Sequence, residues 1–245
     1  VKKISELLVS IALFLFGILP SIAFFVWIER NMALPWVGTW IAWPWIFIDG
    51  GITGSILFNL GLIAAFGFLH SALAGRFPRP WYVVVAGLSA VLVMAGWQPT
   101  GIILYQLIPS AVACSVVSML LYYGFLLVGY WAISQVESPA RFLGVVRSEE
   151  TATAAPRSLW KSGLYGKVRH PLYTLTFAAW ILTPMMSLDR VVFILGMALY
   201  LAFAIRREER RMVVEFGEAY SEYQRSTPML IPRYRSRPQS VSYKI

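Results

Sequence analysis

Trp160-Lys-Ser-Gly-Leu-Tyr-Gly-Lys-Val-Arg-His-Pro-Leu-Tyr173 is followed by two short apolar runs, and then by Arg206-Arg-Glu-Glu-Arg-Arg-Met-Val-Val-Glu-Phe-Gly-Glu-Ala-Tyr220-Ser-Glu-Tyr223 and Pro228-Met-Leu-Ile-Pro232. The stretch places one of only two histidines, a set of tyrosines and a Glu-Glu pair at the two ends of an apolar hairpin. Polar groups in such a position converge where a membrane ends and water begins. The sequence on either side supports that reading.

The chain is 58% hydrophobic and 13% charged, against about 25% charged in soluble domains, which makes it an integral membrane protein. Its formal charge of +9 does not indicate nucleic acid, because the basic residues lie in short segments between apolar runs and form no domain apart from them. The single cysteine, Cys114, lies in an apolar run. It excludes a disulfide framework or a cysteine metal site and reads as a small buried hydrophobe.

Six spans are expected. The first covers about Ile4 to Ile28, behind Lys2 and Lys3; it is too long for a signal-peptide core and lacks a small-residue cleavage site. Trp36, Trp40, Trp43 and Trp45 follow in a loop that reads as an interfacial helix or re-entrant turn. The next three spans are expected from about Ile52 to Ala74, Trp81 to Trp97 and Pro109 to Ser134. A polar connection from Gln135 to Lys167 precedes the last two runs, Leu172 to Leu188 and Val191 to Ile205, separated by Asp189-Arg190. Each of these makes roughly 22 to 25 Å of helix against a hydrocarbon core of about 30 Å. They are therefore expected to pack as a short, tight hairpin whose second helix continues into water.

With the N-terminus inside, the inward segments hold 19 of the 21 basic residues, leaving only Arg30 and Arg190 outside. That asymmetry orients the chain with both termini cytoplasmic. The resulting organisation is a single all-α membrane domain over 1–245, with a four-span scaffold (1–134), a cytoplasmic connection (135–162) and a hairpin with a C-terminal helix (163–234). The basic tail after Tyr234 reads as a solvated or headgroup-contacting extension.

Pro171 is suited to the first position of a helix, so the fifth span should begin there, leaving the backbone N–H groups of Leu172 to Thr174 unpaired. Arg169 and Lys167 add positive charge beside them, which suits an anionic or carboxylate group. Equally, these are ordinary inside-facing basic residues with His170 as a cap. Further on, Ile205, Glu209, Met212, Phe216, Tyr220 and Tyr223 recur at spacings of three or four and form one stripe. Glu209 therefore lies on the packed face, and Glu208 lies to its side among arginines that offer surface ion pairs. An inward carboxylate at a membrane interface is costly unless it is paired, which makes Glu209 a functional candidate or, with Arg206, a structural pair. The other histidine, His70, near the cytoplasmic end of the second span, is expected at the same depth. It reads either as a packing residue or as part of the site.

Gly163-Leu-Tyr165, Arg169-His-Pro-x-Tyr173, Glu208-Glu209, Phe216-Gly217, Tyr220, Tyr223 and Ile231-Pro232 together resemble the isoprenylcysteine carboxyl methyltransferase-like superfamily of membrane methyltransferases. Trp180-x-x-Thr-Pro-Met-Met186, Pro228-Met-Leu-Ile-Pro232 and His70-Ser71 are similar to its methanethiol S-methyltransferase branch and to a related denitrification-associated family. Met212, Thr174 and the first loop depart from the pattern. The resemblance implies an S-adenosylmethionine site open to the cytosol, placed in a bacterial inner membrane, with a small thiol or lipophilic acceptor arriving from the lipid side. It implies cofactor contacts at Gly163, Tyr165, Val168, His170, Pro171, Tyr173, Glu208 and Tyr220, and catalytic roles for Arg169, Glu209 and His70, with no metal. Two other functions stay open: a non-catalytic accessory subunit of a larger membrane complex, and an NADPH-dependent membrane reductase.

Overall fold

The computed structural model describes residues 11–12, 14–20, 23–24, 27, 50–73, 76, 78–136 and 159–233. The tryptophan-rich loop, most of the polar connection and the basic tail lie outside the described residues, as does much of the expected first span.

Among the described residues, six α-helices follow in order: α1 (Gly51–Leu73), α2 (Arg79–Gly96), α3 (Ala111–Ser134), α4 (Pro171–Ile181), α5 (Leu188–Phe216) and α6 (Glu218–Ser226). A π-helical segment, Phe14–Ile18, precedes them and packs against α2. Among the described residues α1, α3 and α5 are long and apolar enough to cross a membrane, and residues 80–96 and 171–181 form shorter apolar helices. Leu57, Phe68, Leu120, Leu127, Leu199 and Phe203 are exposed. On helices this apolar, such a surface is one that faces lipid.

Lipid tails are as apolar as leucine, so dispersion and close fit hold the interior together where water exclusion holds a soluble core. Accordingly, the centre is built from interlocked rings. Trp27 meets Trp97 edge-on at 5.7 Å, and Trp180 meets Phe193 at 5.0 Å and 80°. Ile63 of α1 packs into the same cluster.

Two pairs of polar groups taken into this interior answer each other. Asn59 donates to the Gln98 carbonyl and accepts from the Gln98 N–H, both at 2.8 Å. Ser118 and Thr183 share a hydrogen bond of 2.7 Å.

Two expectations change here. The fifth apolar run does not continue to Leu188: α4 stops at Ile181, ahead of Thr183-Pro184, where the residue before proline is driven out of helical geometry. Met185–Ser187 form a strand, β2, antiparallel to β1 (Ile103–Gln106), with Tyr105 opposite Met186 and Gln106 opposite Met185. The two runs also do not form the expected tight hairpin. α4 packs chiefly on α3 while α5 packs on α1, so the strand separates them.

Asp189 and Arg190, expected to separate two spans, lie in the first turn of α5 and are buried. Ser187 Oγ accepts from the Arg190 N–H at 3.1 Å and caps the helix. Asp189 accepts from Thr100 N, Thr100 Oγ1 and Trp97 Nε1, with its charge at the positive end of the helix dipole.

At the opposite end, α5 does continue as one helix past the apolar Ile205, through the charged residues to Phe216. Gly217 then breaks it with φ 57° and ψ −132°, a backbone region essentially closed to residues carrying a Cβ. The break turns α6 back toward the start of α4, and that return builds the site.

Candidate functional site

Glu209 is the hub. It lies four residues beyond Ile205, and its side chain is 9% exposed. Oε1 receives Arg169 Nε at 2.6 Å and His170 Nε2 at 3.1 Å, while Oε2 receives Gln224 Nε2 at 3.1 Å. An ionised carboxylate only accepts, so the His170 proton sits on Nε2. Burial pushes the Glu209 carboxyl up, yet the His170 and Arg169 hydrogen bonds, the Arg169 charge and Gln224 outweigh it, holding the group at about 2 instead of 4.5. The partner is Arg169; Arg206, the alternative offered by the sequence, is exposed.

Arg169 is equally committed. Besides Glu209, its NH1 group donates to the carbonyls of Gln224 at 3.0 Å and Thr227 at 2.5 Å. Its guanidinium fork therefore ties together the approach to α4, the carboxylate of α5 and the last turn of α6. The backbone repeats the connection: Arg169 N donates to Pro228 O at 2.9 Å and His170 N to Met229 O at 3.1 Å. Thr174 Oγ1 lies 2.8 Å from Leu230 O.

Glu208 behaves differently. Its side chain is 38% exposed. It accepts from Tyr173 Oη at 3.4 Å, and its Oε2 stands 3.9 Å from His170 Nδ1. The His170 imidazole stacks on the Tyr173 ring at 5.6 Å and 17°, so one aromatic pair leads from the closed carboxylate to the open one. The surface pairing with arginines that periodicity allowed for Glu208 is not what holds it.

The remaining expected residues fall around this pair. Gly163 opens a short 3-10 turn, Gly163–Gly166, with φ 60°. Tyr165 presents its carbonyl to Tyr223 Oη at 2.6 Å, and its own phenol is pushed up by burial and the Glu208 charge. Val168 and Pro171 are buried, Pro171 at the first helical position of α4. Thr174 N is bonded to His170 O, so among the described residues the first-turn N–H groups left for a ligand are those of Leu172 and Tyr173. Tyr220 is buried, and burial followed by the Glu209 charge pushes its phenol up to about 12.

His70 is not joined to Arg169, His170 or Glu209 by any hydrogen bond among the described residues. Its Nδ1 faces Phe66 O at 3.2 Å, and its ring lies against Phe66, Tyr82 and Tyr200. It reaches the site indirectly, since Tyr200 and Tyr82 are close enough to Tyr173 to interact with it electrostatically, as Tyr200 is to Glu208.

Similarity to known proteins extends over most of the chain. It is 28% identical to a methanethiol S-methyltransferase of Bradyrhizobium diazoefficiens, covering 96% of this chain and 95% of that one. It is 29% identical to the methanethiol S-methyltransferase of Pseudomonas deceptionensis over 79% and 80% of the two chains, and 28% identical to that of Crocosphaera subtropica over 73% and 75%. The chain is similar to these methanethiol S-methyltransferases over most of its length. No family model matches it, and no solved structure does.

Against that kinship, the residues that sequence reasoning missed are Gln224, Tyr82 and Tyr200. Gln224 stands four residues after Tyr220, at the edge of the stripe, but it is polar, so a search for apolar periodicity passes over it. Tyr200 sits in a run where any aromatic reads as lipid-facing, and only the position of α1 shows otherwise.

Proposed function

We propose that this chain is a membrane methyltransferase that takes its methyl group from S-adenosylmethionine and passes it to a small thiol. The observation that carries the reading is the contrast between two adjacent carboxylates: Glu209, saturated by three donors, and Glu208, with free acceptor capacity beside Tyr173. Kinship with methanethiol S-methyltransferases supplies the acceptor class.

The residues fit the donor. Glu208 and Tyr173 suit its ammonium and hydroxyl groups, and the first-turn N–H groups of Leu172 and Tyr173 suit its carboxylate. Tyr165 and Tyr220 flank that position, with Gly163, Val168, His170 and Pro171 shaping the backbone that leads to it. S-adenosylmethionine, when bound, supplies a methyl already activated on a positively charged sulfur. Thus the protein has to align the groups and exclude water, without metal or covalent catalysis.

Arg169 and Glu209 act as positioning residues, because their polar atoms are consumed in fixing α6 and the 228–230 segment against α4. A thiol must shed its proton, since the thiolate is the nucleophile. His70 would take up that proton, leaving a thiolate to receive the methyl as its bond to the donor sulfur breaks and the donor leaves as a neutral thioether.

Equilibrium binding of S-adenosylmethionine and NADPH to the purified chain in detergent tests this directly. Binding of the first and not the second is expected, followed by methyl transfer from labelled donor to a thiol in a panel with prenylcysteine and phospholipid. Preference for NADPH points to a reductase, and failure to bind either points to an accessory subunit. Unchanged turnover of His70→Ala at saturating donor would remove His70 from the mechanism.

A further inference from the structure

Four rings from three helices meet around the His70 position. Phe66 and His70 stand one turn apart on α1, their centroids 4.1 Å apart. Tyr82 of α2 presents itself edge-on to the imidazole at 5.7 Å, and Tyr200 of α5 does so at 6.4 Å while also meeting Phe66 edge-on at 6.2 Å. All four are half-buried, unlike the interlocked rings of the core. Two observations show that this placement is specific. Gly67, on α1 between Phe66 and Ser71, leaves space that the Tyr200 ring fills: a Cβ there would stand 2.5 Å from Tyr200 Cδ2 and 2.9 Å from Cγ. One helical turn along, Arg207 donates to the Ser71 carbonyl, so α1 and α5 are clasped on the side of the ring toward Glu208.

We infer that Tyr82 and Tyr200 are the walls that restrict the methyl acceptor to a short thiol, and that Gly67 is the positioning residue that admits the Tyr200 ring to its place over His70. The inference rests on the thiol-methyltransferase reading above and names which residues set its acceptor size. Its chemistry is that of an apolar enclosure: aromatic edges accept a sulfur or a methyl group readily, and a rigid ring rejects the next methylene by overlap. With α1 and α5 clasped at Ser71 and Arg207, the Tyr200 wall cannot retreat easily. An alkyl chain longer than one or two carbons therefore meets it.

The test uses the full chain in detergent at saturating S-adenosylmethionine, with methanethiol, ethanethiol, propanethiol and butanethiol as acceptors. Wild type is expected to favour the shortest. Tyr200→Ala and Tyr82→Ala are each expected to raise the kcat/KM ratio of butanethiol to methanethiol about 10-fold or more, the usual worth of a methylene in an apolar site, with donor affinity held within about twofold. Gly67→Ala, by displacing the ring, is expected to change the KM for methanethiol and leave the donor's unchanged. Should the alanine variants fail to fold, Tyr200→Leu and Tyr82→Leu read the same ratio with smaller loss of packing. A ratio unchanged in every variant that turns over thiol overturns the inference. If wild type itself neither binds the donor nor methylates a thiol, the methyltransferase reading falls first, and that result is obtained before any variant is made.

Discussion

Arg169 Nε stands 2.6 Å from Glu209 Oε1, with both side chains less than a tenth exposed. Forty residues apart in sequence, they join the approach to α4 to the far end of α5. A buried pair broken on one side leaves an uncompensated charge, which costs about 3–5 kcal/mol. Glu209→Ala should therefore lower the thermal unfolding temperature in detergent sharply. Arg169→Met combined with Glu209→Leu should recover part of that loss, because no charge then remains buried. If the double variant is no better than the single one, the pair is not the cause.

Glu208 should show the opposite pattern. Its side chain is 38% exposed and holds only a long bond to Tyr173, so Glu208→Gln should change stability by less than about 1 kcal/mol. Donor binding should nevertheless weaken roughly 10- to 100-fold, the loss expected for a hydrogen bond to a charged group. Calorimetric titration with S-adenosylmethionine, beside a melting curve, separates the two quantities.

Gly217 and Gly61 make a matched comparison. Gly217 has φ 57° and ψ −132°, so Gly217→Ala should cost about 1–3 kcal/mol and speed hydrogen exchange in α6, where Tyr220 and Gln224 lose their seat. At Gly61, inside α1, a Cβ meets nothing within 4 Å. Gly61→Ala should stabilise by about 0.5–1 kcal/mol, the ordinary gain in a helix interior.

Acid should undo the hub over a defined range. The Glu209 carboxyl is held at about 2 against 4.5, so the folded chain binds this proton less readily than the unfolded one. Its contribution is complete above about pH 4.5 and fades as pH falls through about 2. Unfolding followed by circular dichroism in detergent should show a stability that falls with acid across that range. In Glu209→Gln this part of the pH dependence should be absent.

Much of this site is legible without coordinates because helical periodicity is local. The stripe through Ile205, Glu209, Met212, Phe216, Tyr220 and Tyr223 marks which carboxylate turns inward, and Pro171 marks where α4 begins. The stripe passes across Gly217 because Tyr220 and Tyr223 of α6 are buried as well, so periodicity alone cannot reveal the break. Hydropathy likewise extends the fifth run through Pro184 to Leu188, since apolar residues suit a buried strand as well as a span. The partner that makes Met185–Ser187 a strand lies some eighty residues earlier, at Ile103–Gln106. Nothing local announces that pairing. Tyr200 is hidden for a related reason: its role depends on the absence of a side chain at Gly67 on a different helix.

The bonds from Arg169 N to Pro228 O and from His170 N to Met229 O have a consequence for biosynthesis. Residues 228–230 are synthesised after every other residue of the site named above. Until they emerge, the guanidinium of Arg169 lacks its Thr227 acceptor and the approach to α4 lacks its backbone partners. The site is thus closed by the last of its residues to be made, and a chain that ends at α6 has α1 to α6 and an unfinished site.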